Sequence, residues 1–384
     1  MKNKFNDFTI LKEKKSTIPL FYPYISKKTK YTIKKVLSSR WIGQGPLVDK
    51  FERIFKKKFC NNLPTIAVGS GTDALHLAFL LANIKKDDEV ICPVFTCTAT
   101  NIPLLYIGAK IKFADIDPYN FNISIEHVKR LITKKTKAII FVNYGGLLCN
   151  LDELNIIAKK NKIILIQDAA QSLGSKYNKK EIAQYADFTI FSFQAIKHIT
   201  SGDGGALCFK NKKLLKKALR LRWFGIDREK KQNGTWENDI TEIGYKYQMT
   251  DIAARLLIDS IKDFKFIRRH RNQINKIYLN YFKRNQNIRI LSNADKKADS
   301  CIWLVTIITD KKDYVQKELR KLNIESNQVH FRNDKYSIFK KFINKSKFKN
   351  MQNLQNKYLV LPCHTNMTLK QAKFIAESVN QITK

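Results

Sequence analysis

Between Pro64 and Phe209 the sequence alternates short apolar runs with segments of helical periodicity, an order that few folds accommodate. The apolar runs cover residues 65–68, 89–95, 111–115, 138–142, 163–166, 188–193 and 206–209. Several lack the alternation of a strand wetted on one face, so they are expected as strands buried on both sides. Between them, residues 73–82, 98–106, 125–132 and 151–160 are expected helices. Ala74, Leu77, Ala78 and Leu81 recur at helical spacing, and Asn150 is placed to cap the last of the four. Strand and helix in alternation predict an α/β fold built on a seven-stranded, mainly parallel sheet covered by helices.

Beyond residue 209 the pattern changes. Residues 226–241 (IDREKKQNGTWENDIT) are polar, contain Asn233-Gly234 and exceed an ordinary connection, so they are expected to be disordered or a working loop. Residues 249–283 read as one long helical stretch, 303–308 as a strand and 313–322 as a helix, the makings of a smaller α+β unit. At roughly 150 residues per domain, the 384 residues are expected to divide into a large domain over 15–255 and a small C-terminal domain over 256–384.

Lys and Arg number 71 against 33 Asp and Glu, a net charge of +38. Such a charge invites a nucleic-acid reading. The basic residues are spread over the whole length among abundant Ile and Asn, and no zinc finger or basic zipper accompanies them, so no nucleic-acid partner is expected. A cationic surface that attracts anionic substrates remains. No run approaches the roughly 18 apolar residues of a membrane span, and residues 1–15 are broken by Lys, Asn, Asp and Glu. A cytoplasmic protein without membrane attachment is expected. The seven cysteines form no CxxC pair and the six histidines no HExxH, which predicts reduced thiols and no metal site.

Three segments carry chemistry. Gly69-Ser70-Gly71-Thr72-Asp73-Ala74 follows a strand and opens a helix, where free N–H groups and the helix dipole favour an anion. Its GxGxxA spacing also suits a dinucleotide, but the acids near the next strand, Asp87, Asp88 and Glu89, precede it at the wrong end of the sheet. A single phosphate fits better; a turn without ligand is the alternative. Asp168 ends the run Ile163-Ile164-Leu165-Ile166-Gln167, where open α/β sheets bind ligands, or it caps a helix; Gln171 lies one turn on. Lys197 follows the Phe-rich run 188–193 and precedes Gly202-Asp203-Gly204-Gly205. Partial burial there would lower its pKa and make it nucleophilic, whereas a solvated position would leave an ordinary amine.

Taken together, GSGTDALHLA, PVFTCTATN, QDAAQSLGS, the run from FSF through Lys197 to GDGGAL, and IGYKYQMTDIAA resemble the nucleotide-sugar aminotransferases of the DegT/StrS family. The resemblance runs from Trp41-Ile42-Gly43-Gln44-Gly45-Pro46 to Leu361-Pro362. It implies the fold type I of pyridoxal-phosphate enzymes, pyridoxal 5'-phosphate as cofactor, and a homodimer with active sites at the subunit interface. It also implies amino transfer, from L-glutamate, to a nucleotide-linked keto-sugar for an amino sugar of a surface polysaccharide or secondary metabolite. Residue by residue, it implies that Lys197 binds the cofactor covalently, Asp168 pairs with the pyridine nitrogen, and Gln171 approaches the ring hydroxyl. Gly71, Thr72 and Ser192 would hold the phosphate. The chain departs from the family at Cys97, where an aromatic usually stacks on the ring and for which Phe95 is a candidate replacement. It departs again at Lys246, which stands for an Asn that reaches the neighbouring subunit's phosphate. Relatives that dehydrate sugars carry His at the Lys197 position, and His198 lies beside it, so a dehydratase is one alternative. A basic nucleic-acid-binding or regulatory protein on the same fold is another, against which the full set Asp168, Gln171, Ser192 and Lys197 speaks.

Overall fold

The computed structural model describes residues 17–228, 234, 239–293, 295–343 and 348–384. All seven expected strands form: β1 Thr65–Val68, β2 Glu89–Pro93, β3 Lys110–Ala114, β4 Thr136–Val142, β5 Ile164–Asp168, β6 Phe188–Ser192 and β7 Gly205–Phe209. They make one sheet in the order β1-β7-β6-β5-β4-β2-β3. Neighbours from β6 through β5, β4 and β2 to β3 pair in parallel, while β7 is antiparallel to both β1 and β6. The expected mainly parallel sheet is borne out.

Successive side chains leave a strand on opposite faces, and here both faces are dry. Ile66, Ile140, Ile166 and Leu207 enter one core, which also holds helix Gly71–Leu81, while Ala67, Ile139, Leu165 and Ala206 enter the other. Helices Pro46–Phe59, Leu151–Lys160 and Asp251–Lys262 supply apolar faces to that second core. This two-sided burial explains why the strands read as continuous apolar runs. Helix Leu151–Lys160 begins as expected, with the Asn150 side chain accepting from the Glu153 N–H.

The stretch 249–283 is two helices rather than one, Asp251–Lys262 and Phe264–Phe282. Asp263 stands between them with ψ near 0°. Its carboxylate accepts a 2.9 Å hydrogen bond from the Tyr24 hydroxyl, a tertiary partner invisible to periodicity. Residue 255, where the sequence divides the domains, lies inside the first of these helices. Beyond them a three-stranded antiparallel sheet, Arg289–Ile290, Val305–Ile308 and Tyr358–Leu361, packs with helices Lys312–Lys321 and Leu369–Thr383. Its core is continuous with the first core of the large sheet. Among the described residues no helix is long and apolar enough to cross a membrane.

One carboxylate fixes the N-terminal motif. Asp251, 1% exposed, accepts from the N–H groups of Gly45, Leu47 and Val48 at 2.8, 3.1 and 3.0 Å, and its own N–H donates to the Gly43 carbonyl at 2.7 Å. It thereby caps helix Pro46–Phe59 from a helix some 200 residues away in sequence. Unmet buried donors cost about 1–3 kcal/mol each, so Asp251→Ala should destabilise the protein by about 2–4 kcal/mol. A fall in the urea midpoint without a change of slope checks this, and an unchanged midpoint contradicts it.

Candidate active site

Parallel strands end at the same edge, and that edge gathers most of the expected residues. Asp168 is the last residue of β5 and Ser192 the last of β6, while Gly69 follows β1. Asp168 is buried. Its Oδ2 accepts from the Thr100 hydroxyl at 2.8 Å and its Oδ1 from the Ala170 N–H at 3.0 Å. Burial raises its carboxyl above the usual range, opposed by these two donors and by the charge of Lys197.

Lys197 lies on the turn between β6 and β7, 9% exposed, with Nζ 4.0 Å from the centroid of the Trp303 ring. Burial lowers its pKa, and Cys97 and Asp168 pull it back up. Trp303 is pinned by donating its Nε1–H to the Ile196 carbonyl at 2.8 Å, and its ring is stacked with those of Phe21 and His330, centroids 5.7 and 6.3 Å away. His198, the neighbour that made the lysine assignment ambiguous, turns elsewhere: its Nε2–H donates to the Cys301 carbonyl at 3.2 Å.

Gln171 Oε1 accepts from the Gly145 N–H at 2.8 Å, which leaves Nε2 to donate to His330 Nε2 at 3.3 Å. His330 is therefore neutral, with its proton on Nδ1. Burial, reinforced by Lys197, lowers its pKa to about 3.

The glycine motif forms the start of helix Gly71–Leu81, with the Ser70 side chain as cap on the Asp73 N–H at 3.0 Å. The Gly71 and Thr72 N–H groups have no partner within the helix. A Cβ on Gly71 would stand 2.9 Å from Ser192 Cβ, and one on Gly205 would stand 2.3 Å from the Ser70 carbonyl oxygen. Glycine at both places lets the helix start close against the end of β6.

One expectation comes out differently. Phe95 is buried among Phe121, Tyr144 and Tyr358, so it is a core side chain and no ring-stacking substitute for Cys97. Lys246 is exposed, bridged through its backbone to Trp223, with Nζ 5.4 Å from the Phe224 ring centroid. Among the described residues it makes no hydrogen bond or ion pair with the Lys197 group. Of the expected loop 226–241, residues 229–233 and 235–238, Trp236 included, lie outside the described residues. The motif Trp41–Pro46 borders a separate cavity of about 570 Å³ with Arg222, Trp223 and Arg228, which neither Lys197 nor Asp168 lines.

The sequence reading missed Thr96, Thr100, Trp303 and His330. The threonines sat within the PVFTCTATN motif, where their hydroxyl spacing was a usable signal. Trp303 and His330 come from the C-terminal part of the chain with no motif of their own.

This donor set fits pyridoxal phosphate. A buried carboxylate calls for a cationic N–H partner, a buried amine stands beside it, and a glycine-shaped helix start next to a serine hydroxyl suits a phosphate. Residues 23–380 match the model of the DegT/DnrJ/EryC1/StrS aminotransferase family. The chain belongs to that family. It is an aminotransferase of that kind, as its motifs implied. It is 33% identical to a UDP-4-amino-4,6-dideoxy-N-acetyl-beta-L-altrosamine transaminase of Campylobacter jejuni, over 91% of this chain and 93% of that one. It is 29% identical to a GDP-perosamine synthase of Escherichia coli O157:H7, over 95% and 98% of the two chains. A solved putative sugar aminotransferase of Streptococcus pneumoniae in its PLP-form superposes with a TM-score of 0.89 at 26% identity, over 96% and 98% of the two chains. Pyridoxal phosphate, the cofactor expected from the sequence, is borne out by the family and by that neighbour's PLP-form.

The neutral His330 has a consequence for stability. Free histidine takes up a proton near pH 6.5 while His330 does so only near 3, so between these values the unfolded chain binds the extra proton. Stability is therefore lost as pH falls through that window. In the cofactor-free protein, His330→Gln should reduce the loss between pH 7 and pH 5 by about 1–2 kcal/mol. Urea midpoints at the two pH values measure it, and equal losses in both proteins would contradict it.

Proposed function

We propose that this family member transfers an amino group from L-glutamate to a keto-sugar carried on a nucleoside diphosphate, as a homodimer, in the making of an amino sugar. The observation that carries the reading is the buried pair Lys197 and Asp168 beside the glycine-shaped helix start. The relatives named for UDP- and GDP-linked sugars support the substrate class.

Bound pyridoxal phosphate supplies an electron sink, a ring that accepts the electrons left when a proton departs from the substrate carbon. Asp168 would hold a proton on the pyridine nitrogen. Two fixed donors, Thr100 and Ala170, leave its remaining lone pairs for that task. Gly71 and Thr72 would offer N–H groups and Ser192 a hydroxyl to the phosphate, and Gln171, with one Nε2 hydrogen still uncommitted, would approach the ring hydroxyl. Lys197 would carry the cofactor covalently, and its amine is the group placed to hold and move a proton at the reacting carbon. Its depressed pKa makes the neutral, proton-accepting form available closer to neutral pH. Trp303 and His330 keep water from one side of that amine. A dehydratase role is disfavoured, because the residue beside Asp168 is a lysine and His198 is engaged with Cys301.

Purified protein incubated with glutamate and a panel of UDP- and GDP-linked keto-sugars should release 2-oxoglutarate and an amino sugar. Lys197→Ala should release neither, and borohydride reduction of the wild type should leave the pyridoxyl group on Lys197. Finding that group on another lysine would overturn the assignment.

Lys246 is proposed to reach the phosphate of the neighbouring subunit as a point charge. Lys246→Ala should weaken cofactor retention more than folding. Mixing inactive Lys197→Ala subunits with inactive Lys246→Ala subunits should restore part of the activity, because one site in each mixed dimer regains both residues. Verified mixed dimers with no recovery would place Lys246 within its own subunit's site.

A further inference from the structure

We propose that Thr100 is a positioning residue for Asp168, with Thr96 setting the direction of its hydroxyl, so that the carboxylate is held as an acceptor facing the cofactor's ring nitrogen. The inference rests on the proposed role of Asp168 and adds two residues to it.

Hydrogen-bond accounting carries the argument. A hydroxyl has one proton to give. The Ala170 N–H already donates to Asp168 Oδ1, and the Thr100 Oγ1 lies 2.8 Å from Oδ2. An ionised Asp168 can only accept, so the Thr100 proton goes to it. Thr100 Oγ1 is also 2.8 Å from Thr96 Oγ1, and with its own proton committed it must accept there. Thr96 is thus the donor, and the relay runs in one direction, from Thr96 through Thr100 to Asp168.

The relay is anchored at its far end. The Thr96 carbonyl accepts from Asn333 Nδ2 at 2.9 Å, and the Asn333 N–H donates to the Val94 carbonyl at 2.7 Å. Asn101 Nδ2 donates to Asn333 Oδ1 at 2.8 Å and to the Pro93 carbonyl at 3.1 Å. Thr96, Thr100, Asn101 and Asn333 are at most 1% exposed, so water does not stand in for a lost hydroxyl. Thr100 lies in the first turn of helix Thr98–Tyr106, and its branched side chain has few rotamers there. If Thr100 only filled space, its methyl would matter and its hydroxyl would not.

The test compares Thr100→Val, which keeps the shape, with Thr100→Ser, which keeps the hydroxyl. The first readout is the pH titration of the bound cofactor's absorbance without substrate, and the second is cofactor dissociation at fixed pH. Losing one of two donors should move the acid-side midpoint up by about one pH unit, a ten-fold change in the proton equilibrium. Cofactor should dissociate several-fold more readily. Thr100→Ser should restore both, and Thr96→Val, should Thr100→Val not fold, should shift the midpoint in the same direction by less. Midpoints equal to wild type in Thr100→Val and Thr96→Val, alongside a shifted Asp168→Asn control, would overturn the positioning role alone. An Asp168→Asn titration identical to wild type would overturn the proposed role of Asp168, and this inference with it.

Discussion

A carboxylate at the end of β5 and an amine on the turn after β6 share one buried space, and neither charge is comfortable there alone. Taking a lone ion out of water costs several kcal/mol even after relaxation. Asp168 accordingly has its pKa pushed up by burial and Lys197 has its pushed down, while each charge opposes the shift of the other. The remaining protein completes this partial compensation. Thr100 and Ala170 donate to the carboxylate, and the face of Trp303 lies under the ammonium.

That space exists because parallel strands all end at the same edge. The segments after β1, β5 and β6 emerge together there, and residues far apart in sequence meet without any long loop. The antiparallel β7 contributes differently. By returning beside β1 it sets Gly205 against Ser70, so the start of helix Gly71–Leu81 is held by close backbone contact as well as by the Ser70 side-chain cap. A phosphate cradle made of N–H groups needs that rigidity, since its donors cannot adjust independently.

Most of this edge was legible in the sequence. Apolar runs gave all seven strands because both faces of the sheet are dry, and strand ends gave Asp168, Lys197 and the glycine motif because chemistry collects there. The parts that were not legible depend on contacts between distant segments. Asp263 stands at the break in the stretch 249–283, where its carboxylate meets Tyr24, and Phe95 is a core residue because Phe121, Tyr144 and Tyr358 surround it. Trp303 and His330 lacked any local signature. The role proposed for Lys246 needs a second chain, so one sequence could raise it only through resemblance.

The C-terminal part of the chain is more than a cover for the sheet. It supplies Trp303 under the lysine, His330 to Gln171 and Asn333 to Thr96, contacts with Lys197 itself and with groups around the Lys197 and Asp168 pair. The site is accordingly lined by neutral or mutually compensating groups, although the chain carries a net charge of +38. The two features act at different distances. Diffuse positive charge speeds the approach of an anionic nucleotide sugar and is screened by salt over about 8–10 Å. The buried pair is shielded from that screening by the surrounding protein. Added salt is therefore expected to act on substrate capture and leave the proton transfers proposed for Lys197 nearly untouched, which separates the surface's contribution from that of the site.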